Sequence, residues 1–263
     1  MANVFNVEEQ TEKVINWIKD WFEHKAGNAK GVVIGISGGK DSSVVAGLCV
    51  KALGKDKVLG VLMPNGEQPD IEDSIELCEF LGIEYRVVNI APMVEAFYSQ
   101  IRYSPKYCEN DIVENLFPLS SHTQTNIPPR VRMTVLYAIG QELGYRVAGT
   151  GNWNETYIGY STKWGDGACD FNPIKDFLVE EVIAIGDYLG IKEHLVHKAP
   201  ADGLCGKTDE DNLGFPYSAV SEFKYKGYCA NREYFDKIIN MHYYNFHKNS
   251  PIPYYQRYPY YQR

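Results

Sequence analysis

The stretch GVVIGISGGKDSS, residues 31–43, passes directly from an apolar run into glycines and serines. Residues 31–36 are apolar on both faces, which is typical of a strand at the centre of a parallel sheet. A helix is predicted to start near Asp41, so its free amides and the positive end of its dipole face the Ser37–Gly39 turn. Such a turn can hold a phosphate or another oxyanion, with the serine hydroxyls as further donors.

Asp41 adds a carboxylate to this predicted phosphate site. A carboxylate beside a phosphate is repelled unless a divalent cation lies between them, and Mg²⁺ bridges oxygens of both kinds. The loop is not a Walker A motif, because GxxxxGK[ST] is absent. The simpler interpretation, a glycine turn with Asp41 at a helix start, stays open on this loop alone.

Strands and helices alternate through the first 150 residues, which predicts an α/β fold with a doubly wound parallel sheet flanked by helices. Strands are predicted at residues 31–36, 57–63, 84–90 and 145–148, and helices at residues 7–25, 41–53, 70–81, 92–101, 130–143, 178–189 and 233–246.

Other segments lack a clear period. Residues 103–129 and 200–225 are weakly patterned and are candidates for loops that order over ligands. Residues 149–170 are rich in glycine and asparagine. The motif PYYQR occurs at 253–257 and again at 259–263, so we expect one domain over residues 1–250 and a flexible tyrosine-rich tail over 251–263.

Composition excludes several classes of protein. The chain has 263 residues, of which 44% are hydrophobic and 23% charged, and its net charge of −8 disfavours long nucleic acids as partners. No apolar run is long enough to span a membrane, and no signal peptide opens the sequence. Six scattered cysteines without a CxxC pair indicate reduced thiols, so we expect a cytoplasmic protein.

The segment SGGKDS, residues 37–42, resembles the SGGxDS loop of the ATP pyrophosphatase group, which includes NAD, GMP and asparagine synthetases and tRNA-modifying enzymes. Four further blocks resemble the NAD synthetase family in the order in which that family carries them. They are MPNGEQPDIEDS (63–74), NIPPRVRM (126–133), GTGNWNETYIGYSTKWGDGACDFNPI (149–174) and HKNSPIP (247–253). Four ordered blocks are far more specific than one loop.

The resemblance implies a Rossmann-like adenine nucleotide α-hydrolase fold and a ligase. The nicotinate carboxylate of deamido-NAD attacks the α-phosphate of ATP, pyrophosphate leaves, and ammonia displaces AMP to give NAD. Free ammonia is the expected nitrogen donor, since the blocks fill the chain and leave no room for an amidase domain. The resemblance also implies a homodimer, with the dinucleotide site at the subunit interface.

Carried over residue by residue, the resemblance implies three sets of site residues. Mg²⁺ is held by Asp41 and Glu155, which are also the catalytic pair. ATP is bound by Gly35, Ile36, Ser37, Gly38, Gly39, Lys40, Asp41, Ser42 and Thr150. Deamido-NAD is bound by Arg130, Lys163, Asp170, His247 and Lys248. Lys40 stands at the variable position of the loop, where a solvent-exposed side chain is the simpler expectation.

The sequence departs from the family pattern at several positions. Val179 stands where a lysine is usual, and Lys175 is the nearest basic substitute. Pro200 and Ala201 replace a segment that usually carries threonine or serine, and Pro129 replaces an alanine. We expect either weaker ATP binding or contacts supplied by the backbone.

Two alternatives remain open at this point. A tRNA-modifying ATP pyrophosphatase shares the loop, but the acidic composition and the scattered cysteines disfavour it. A non-catalytic nucleotide sensor is compatible with Val179 and Pro200, but the presence of both Asp41 and Glu155 favours metal-dependent chemistry.

Overall fold

The computed structural model describes residues 5–104, 106–108, 111–113, 117–198 and 208–255. Its helices are α1 (Val7–His24), α2 (Lys40–Leu53), α3 (Ile71–Leu81), α4 (Ala91–Arg102), α5 (Ser121–Leu143), α6 (Trp153–Ile158), α7 (Val179–Tyr188), α8 (Glu193–Val196), α9 (Asp209–Leu213), α10 (Tyr217–Lys226) and α11 (Arg232–Asn249). Its strands are β1 (Gly31–Gly35), β2 (Val58–Leu62), β3 (Glu84–Val87), β4 (Lys106–Cys108), β5 (Asp111–Val113) and β6 (Tyr145–Val147).

The main sheet has the strand order β3-β2-β1-β6, and all its neighbouring strands are parallel. The predicted doubly wound parallel sheet is therefore confirmed, with β1 in an interior position. Strands β4 and β5 form a separate antiparallel pair that the sequence did not predict. The interior position of β1 explains its apolar residues, because a strand covered on both faces has no polar side.

Alternate residues of β1 belong to two different cores. Val32 and Ile34 are buried in a cluster that includes residues of α1, α2 and α7. Val33 is buried in a second cluster, with residues of α4 and α5. Because successive side chains of a strand point to opposite faces, helices cover the sheet on both sides. A third cluster joins α6, α10 and α11.

Helix α5 begins nine residues before its predicted start at Arg130, at Ser121, so the expectation of an irregular segment up to residue 129 is wrong there. The Ser120 side chain caps the helix by accepting a hydrogen bond from the Thr123 amide at 3.2 Å. Pro128 lies inside the helix and has no N–H for the carbonyl of Gln124. The Tyr98 hydroxyl donates to that carbonyl at 2.8 Å, so a tertiary hydrogen bond replaces the missing helical one.

Short helices also lie in the glycine- and asparagine-rich stretch and in the second weakly patterned segment. Helix α6 lies within the glycine- and asparagine-rich stretch 149–170, and α9 with most of α10 lies within residues 200–225. Asn154 of α6 is buried, donates to the Tyr217 carbonyl and the Ser221 hydroxyl, both at 2.9 Å, and accepts from the Val179 amide at 3.2 Å. One side chain therefore ties α6 to α7 and α10. Residues 200–207 lie outside the described residues.

Free thiols are found at Cys49, Cys78, Cys169 and Cys229, as predicted, while the Cys108 and Cys205 side chains lie outside the described part. Within the described ranges, no helix is both long and apolar enough to cross a membrane. The division of the chain at residue 250 stays a prediction, and residues 256–263 of the tail lie outside the described residues.

Candidate active site

The Ser37–Gly39 turn requires glycine at its centre. Gly38 has a φ of 75°, in the left-handed region, where a side chain is strained. A Cβ at this position would lie 3.0 Å from Asp73 Cβ and 3.1 Å from Ser74 Oγ, so the turn packs closely against the start of α3. Both the backbone angle and the contact with α3 therefore exclude a larger residue.

The hydroxyl groups of the turn hydrogen-bond within the turn itself. Ser42 Oγ and Ser43 Oγ donate to the Gly39 carbonyl at 3.1 and 2.8 Å, and Ser37 Oγ accepts from the Gly39 amide at 3.3 Å. These serines stabilise the shape of the turn, and their role as further donors to a ligand stays a prediction. The first amides of α2 have no acceptor within the helix, and they face the same turn.

Asp41 and Glu155 are brought together by one asparagine. Asn152 Nδ2 donates to Asp41 Oδ1 at 3.1 Å, and the Asn152 backbone amide donates to Glu155 Oε2 at 3.2 Å. Asn152 Oδ1 accepts from the Glu155 amide at 3.1 Å, which completes a capping box at the start of α6. The two carboxylates predicted to share a metal ion thus lie on either side of a single residue.

The electrostatic environment of this pair is suited to a cation. Burial, and next the charge of Asp41, raise the pKa of Glu155 to about 8. Asp209, which is also buried, acts in the same direction. Carboxylate oxygens are the ligands that Mg²⁺ prefers, so the residues present fit this ion.

Lys40 is buried at the same place, with only 4% of the residue exposed, so the expectation of a solvent-exposed side chain is wrong. Its Nζ lies 2.9 Å from Asp41 Oδ2. Burial acts to lower the pKa of Lys40, but the charges of Asp41 and Glu155 more than offset this, and the pKa is raised overall. Lys40 is therefore a charged ammonium among carboxylates.

Four of the five residues predicted to bind deamido-NAD meet around the loop that follows α6. Arg130 Nε donates to the Lys163 carbonyl at 3.3 Å, and Lys163 Nζ donates to the His247 carbonyl at 2.8 Å. Lys248 Nζ donates to the carbonyls of Gly159 and Ser161 at 2.8 and 2.9 Å. Burial lowers the pKa of Lys248. These contacts place several cationic side chains in one region.

Asp170, the fifth of these residues, forms hydrogen bonds with strand β6. Asp170 Oδ2 accepts from the Val147 amide at 2.7 Å, and the Asp170 amide donates to the Val147 carbonyl at 2.9 Å. Its other described contact is with the Tyr137 hydroxyl, at 3.5 Å. Asp170 thus completes the edge of β6.

Thr150 lies in the connection between β6 and α6, beside Gly151, whose carbonyl accepts from Asn172 Nδ2 at 2.9 Å.

A family model described as NAD synthase matches residues 10–252. This chain belongs to the NAD synthase family. The NH(3)-dependent NAD(+) synthetase of Pyrococcus horikoshii is 45% identical over 82% of this chain and 78% of its own. The enzyme of the same name from Carboxydothermus hydrogenoformans is 39% identical over 84% of this chain and 87% of its own.

Solved structures similar to this chain have the same fold. An NMN synthetase from Francisella tularensis superposes with a TM-score of 0.85 at 32% identity, over 97% of this chain and all of that one. An NH3-dependent NAD synthetase from Campylobacter jejuni gives a TM-score of 0.75 at 27% identity, over 96% and 100% of the two chains. The α/β fold implied by the sequence resemblance is therefore confirmed.

Other side chains at this NAD synthase site were not singled out from the sequence. Asn152 could have been found, because Asn followed three residues later by Glu is a capping signal. Arg132 lies in the block NIPPRVRM, and its Nε donates to the Met63 carbonyl at 3.0 Å, at the end of β2. Asp209 and Tyr217 lie within the weakly patterned segment 200–225, and the Tyr217 hydroxyl lies 3.4 Å from Asp209 Oδ2. No sequence signal placed these last two residues beside Glu155.

Trp164 adds an exposed aromatic ring next to the cationic region. Its φ is 61°, which is uncommon for a residue with a side chain, and 54% of the residue is exposed. Lys163 Nζ lies 5.6 Å from the centre of its ring. Backbone strain of this kind is concentrated at ligand sites, and a flat exposed ring offers a stacking surface for a heterocycle.

The substitution Gly38→Ala tests the turn against a matched control. Gly54, at the opposite end of α2, also has a positive φ, but a Cβ there would meet nothing within 4 Å. Each alanine costs about 1–3 kcal/mol of backbone strain, and only Gly38→Ala adds the clash with α3. We expect ATP affinity, measured by calorimetric titration with Mg²⁺, to fall at least about tenfold in Gly38→Ala and to be retained in Gly54→Ala. Equal ATP affinity in both variants would contradict the assignment of the turn.

The raised pKa of Glu155 predicts how stability depends on pH in metal-free protein. The folded state keeps the Glu155 proton up to about pH 8, whereas the unfolded state loses it near the ordinary glutamate pKa of 4.5. The stability that this proton contributes is therefore present below pH 4.5 and is lost as the pH rises through about 8. Glu155→Gln cannot titrate. In urea denaturation, the free energy of unfolding of the wild type should fall relative to this variant between these pH values, and parallel curves would refute the shift.

Proposed function

We propose that this site makes NAD by adenylating the nicotinate carboxylate of deamido-NAD with ATP and then amidating it with ammonia. The observation that carries this proposal is the Asp41–Asn152–Glu155 arrangement beside the start of α2, in a chain of the NAD synthase family. A carboxylate is a poor acceptor for ammonia, because its charge repels nucleophiles and oxide is a poor leaving group. Transfer of AMP to the carboxylate removes both obstacles.

The phosphate groups of ATP would lie between the Ser37–Gly39 turn and the first amides of α2. The turn is already held in shape by its own serines, so binding does not have to order it. Asp41 and Glu155 would hold Mg²⁺, which when bound neutralises the charge that develops on the phosphates. Thr150, between β6 and α6, would contact the nucleotide.

Deamido-NAD carries a pyrophosphate, and the cations around the loop after α6 suit such an anion. Arg130 and Lys163 would bind phosphate oxygens, and His247 and Lys248 would contact the same ligand from the end of α11. Asp170 would accept a ribose or amide hydrogen bond at the lone pairs that its contact with the Val147 amide of β6 leaves free. Free ammonia as the nitrogen source agrees with the names of the relatives.

A homodimer with the dinucleotide site at the subunit interface, and a cytoplasmic location, remain predictions from the sequence. Exposed aromatic residues near the end of α11, among them Tyr243, Tyr244 and Phe246, are compatible with an interface.

The carboxylate pair is tested by the variants Asp41→Asn and Glu155→Gln. Each variant removes one hard anionic ligand, so we expect the rates of pyrophosphate and NAD formation to fall about a hundredfold or more. Asp56→Asn removes one carboxylate from an exposed position and should keep the wild-type rate. Wild-type turnover in either site variant would refute the proposal.

A second candidate substrate is nicotinate mononucleotide. The superposition with the Francisella tularensis NMN synthetase has a higher TM-score, 0.85, than that with the Campylobacter jejuni NAD synthetase, 0.75. Amidation of the mononucleotide uses the same adenylation chemistry and differs only in the size of the substrate.

The two candidates are separated by measuring kcat/KM for each substrate with ATP and ammonium. We expect deamido-NAD to be preferred by about tenfold or more, because the adenosine half adds binding energy. The opposite preference would assign the chain to mononucleotide amidation. AMP formation only in the presence of tRNA would contradict both candidates.

A further inference from the structure

The position of Lys40 in the fold is unfavourable for a lysine in two respects. The residue is 4% exposed, although lysine is almost never fully buried unless it is paired. It is also the first residue of α2, where the positive end of the helix dipole disfavours a cation. Both effects raise the free energy of the folded state, so something at this site must offset them.

The groups that face the Lys40 ammonium are carboxylates from three elements. Nζ lies 2.9 Å from Asp41 Oδ2 on α2. The charges of Glu155 on α6 and Asp209 on α9 also act on it favourably. Tyr217 on α10 contacts Asp209 through its hydroxyl and borders the same cluster. The ammonium therefore offers the positive charge that the surrounding carboxylates would otherwise lack.

Both oxygens of Asp41 are already engaged in this arrangement. Oδ2 accepts from Lys40, and Oδ1 accepts from Asn152 Nδ2 at 3.1 Å. These two donors leave lone pairs free on Asp41, but a divalent cation bound to this carboxylate would lie beside the Lys40 ammonium, and the two like charges repel each other. Asn152 is held by its capping box with Glu155, whereas Lys40 is held at the end of a flexible four-carbon chain. Lys40 is thus the donor that can move.

We propose that the Lys40 ammonium is the resting counter-ion of the Asp41 carboxylate and is displaced from Asp41 Oδ2 when a divalent cation binds at the Asp41–Glu155 pair. The inference rests on the proposed function, since it assumes that this pair is the metal site. Lys40 stabilises the charge of Asp41 while no metal is bound, and its like charge weakens binding of the metal. Affinity for the free ion is therefore set by a residue that is not itself a ligand.

The test is a titration with Mn²⁺ in the absence of nucleotide. The concentration of the free ion is measured from its electron paramagnetic resonance signal. Lys40→Met keeps the length of the side chain and removes its charge. We expect it to bind Mn²⁺ about tenfold or more tightly than the wild type, because a like charge at contact distance is removed. Lys51→Met, with the same loss of charge at an exposed position in the last turn of α2, should stay within about twofold, since screening weakens distant charges.

Each outcome bears on the inference. Unchanged or weaker Mn²⁺ binding by a folded Lys40→Met protein, with native circular dichroism, overturns the counter-ion role and leaves the metal site standing. Absence of Mn²⁺ binding in all proteins, or binding that Asp41→Asn does not affect, overturns both the inference and the proposed site. Tighter binding confined to the Lys40 variant supports it.

Two further measurements apply if Lys40→Met does not fold. Lys40→Gln retains a hydrogen-bond donor for Asp41 without the charge, and the same increase in Mn²⁺ affinity is expected. In the wild type, the ammonium nitrogen resonance of Lys40 should shift on titration with Mg²⁺ as its partner changes. A resonance that stays constant up to saturating Mg²⁺ overturns the inference without any variant.

Discussion

The interaction on which the site depends is the double hydrogen bond from Asn152 to Asp41 and Glu155. It holds together two carboxyl groups that would repel each other when both are charged, and burial, followed by the charge of Asp41, raises the pKa of Glu155. The arrangement is stable because Asn152 and Glu155 also cap α6, and because Asn154 ties α6 to α7 and α10. The proposed cation site thus lies at the start of a helix.

The parallel sheet explains why these residues meet at all. Strands β1 and β6 are neighbours, with Val33 opposite Val147, and they run in the same direction. Their carboxyl ends therefore open at the same edge of the sheet, where β1 continues into the Ser37–Gly39 turn and β6 continues into Asn152. Asp41 and Asn152 lie 111 positions apart in the chain, and the strand order alone makes them neighbours.

The sequence was sufficient to predict the structure where the local pattern and the tertiary structure agree. The strand β1, the helix α2 and the pairing of Asp41 with Glu155 followed from an apolar run, a glycine turn and ordered family blocks. It was insufficient where a tertiary contact decides the outcome. The first turns of α5 were not predicted because they contain two prolines, and Tyr98 donates to the Gln124 carbonyl that Pro128 leaves without a helical donor. The burial of Lys40 was not predicted because it depends on carboxylates from α6 and α9, which are distant in the sequence.

The lysines of the site differ in the groups that their ammonium nitrogens contact, and these contacts give them different roles. Lys40 is held by carboxylates, which cancel its charge locally. Lys163 and Lys248 donate to backbone carbonyls, which orient the ammonium groups without neutralising them, and the charge of Asp166 also acts on Lys248. Positive charge therefore remains available around the loop after α6, in a protein whose net charge is −8. An acidic chain can bind an anionic dinucleotide in this way, because its attraction for the ligand depends on a few oriented cations and not on net charge.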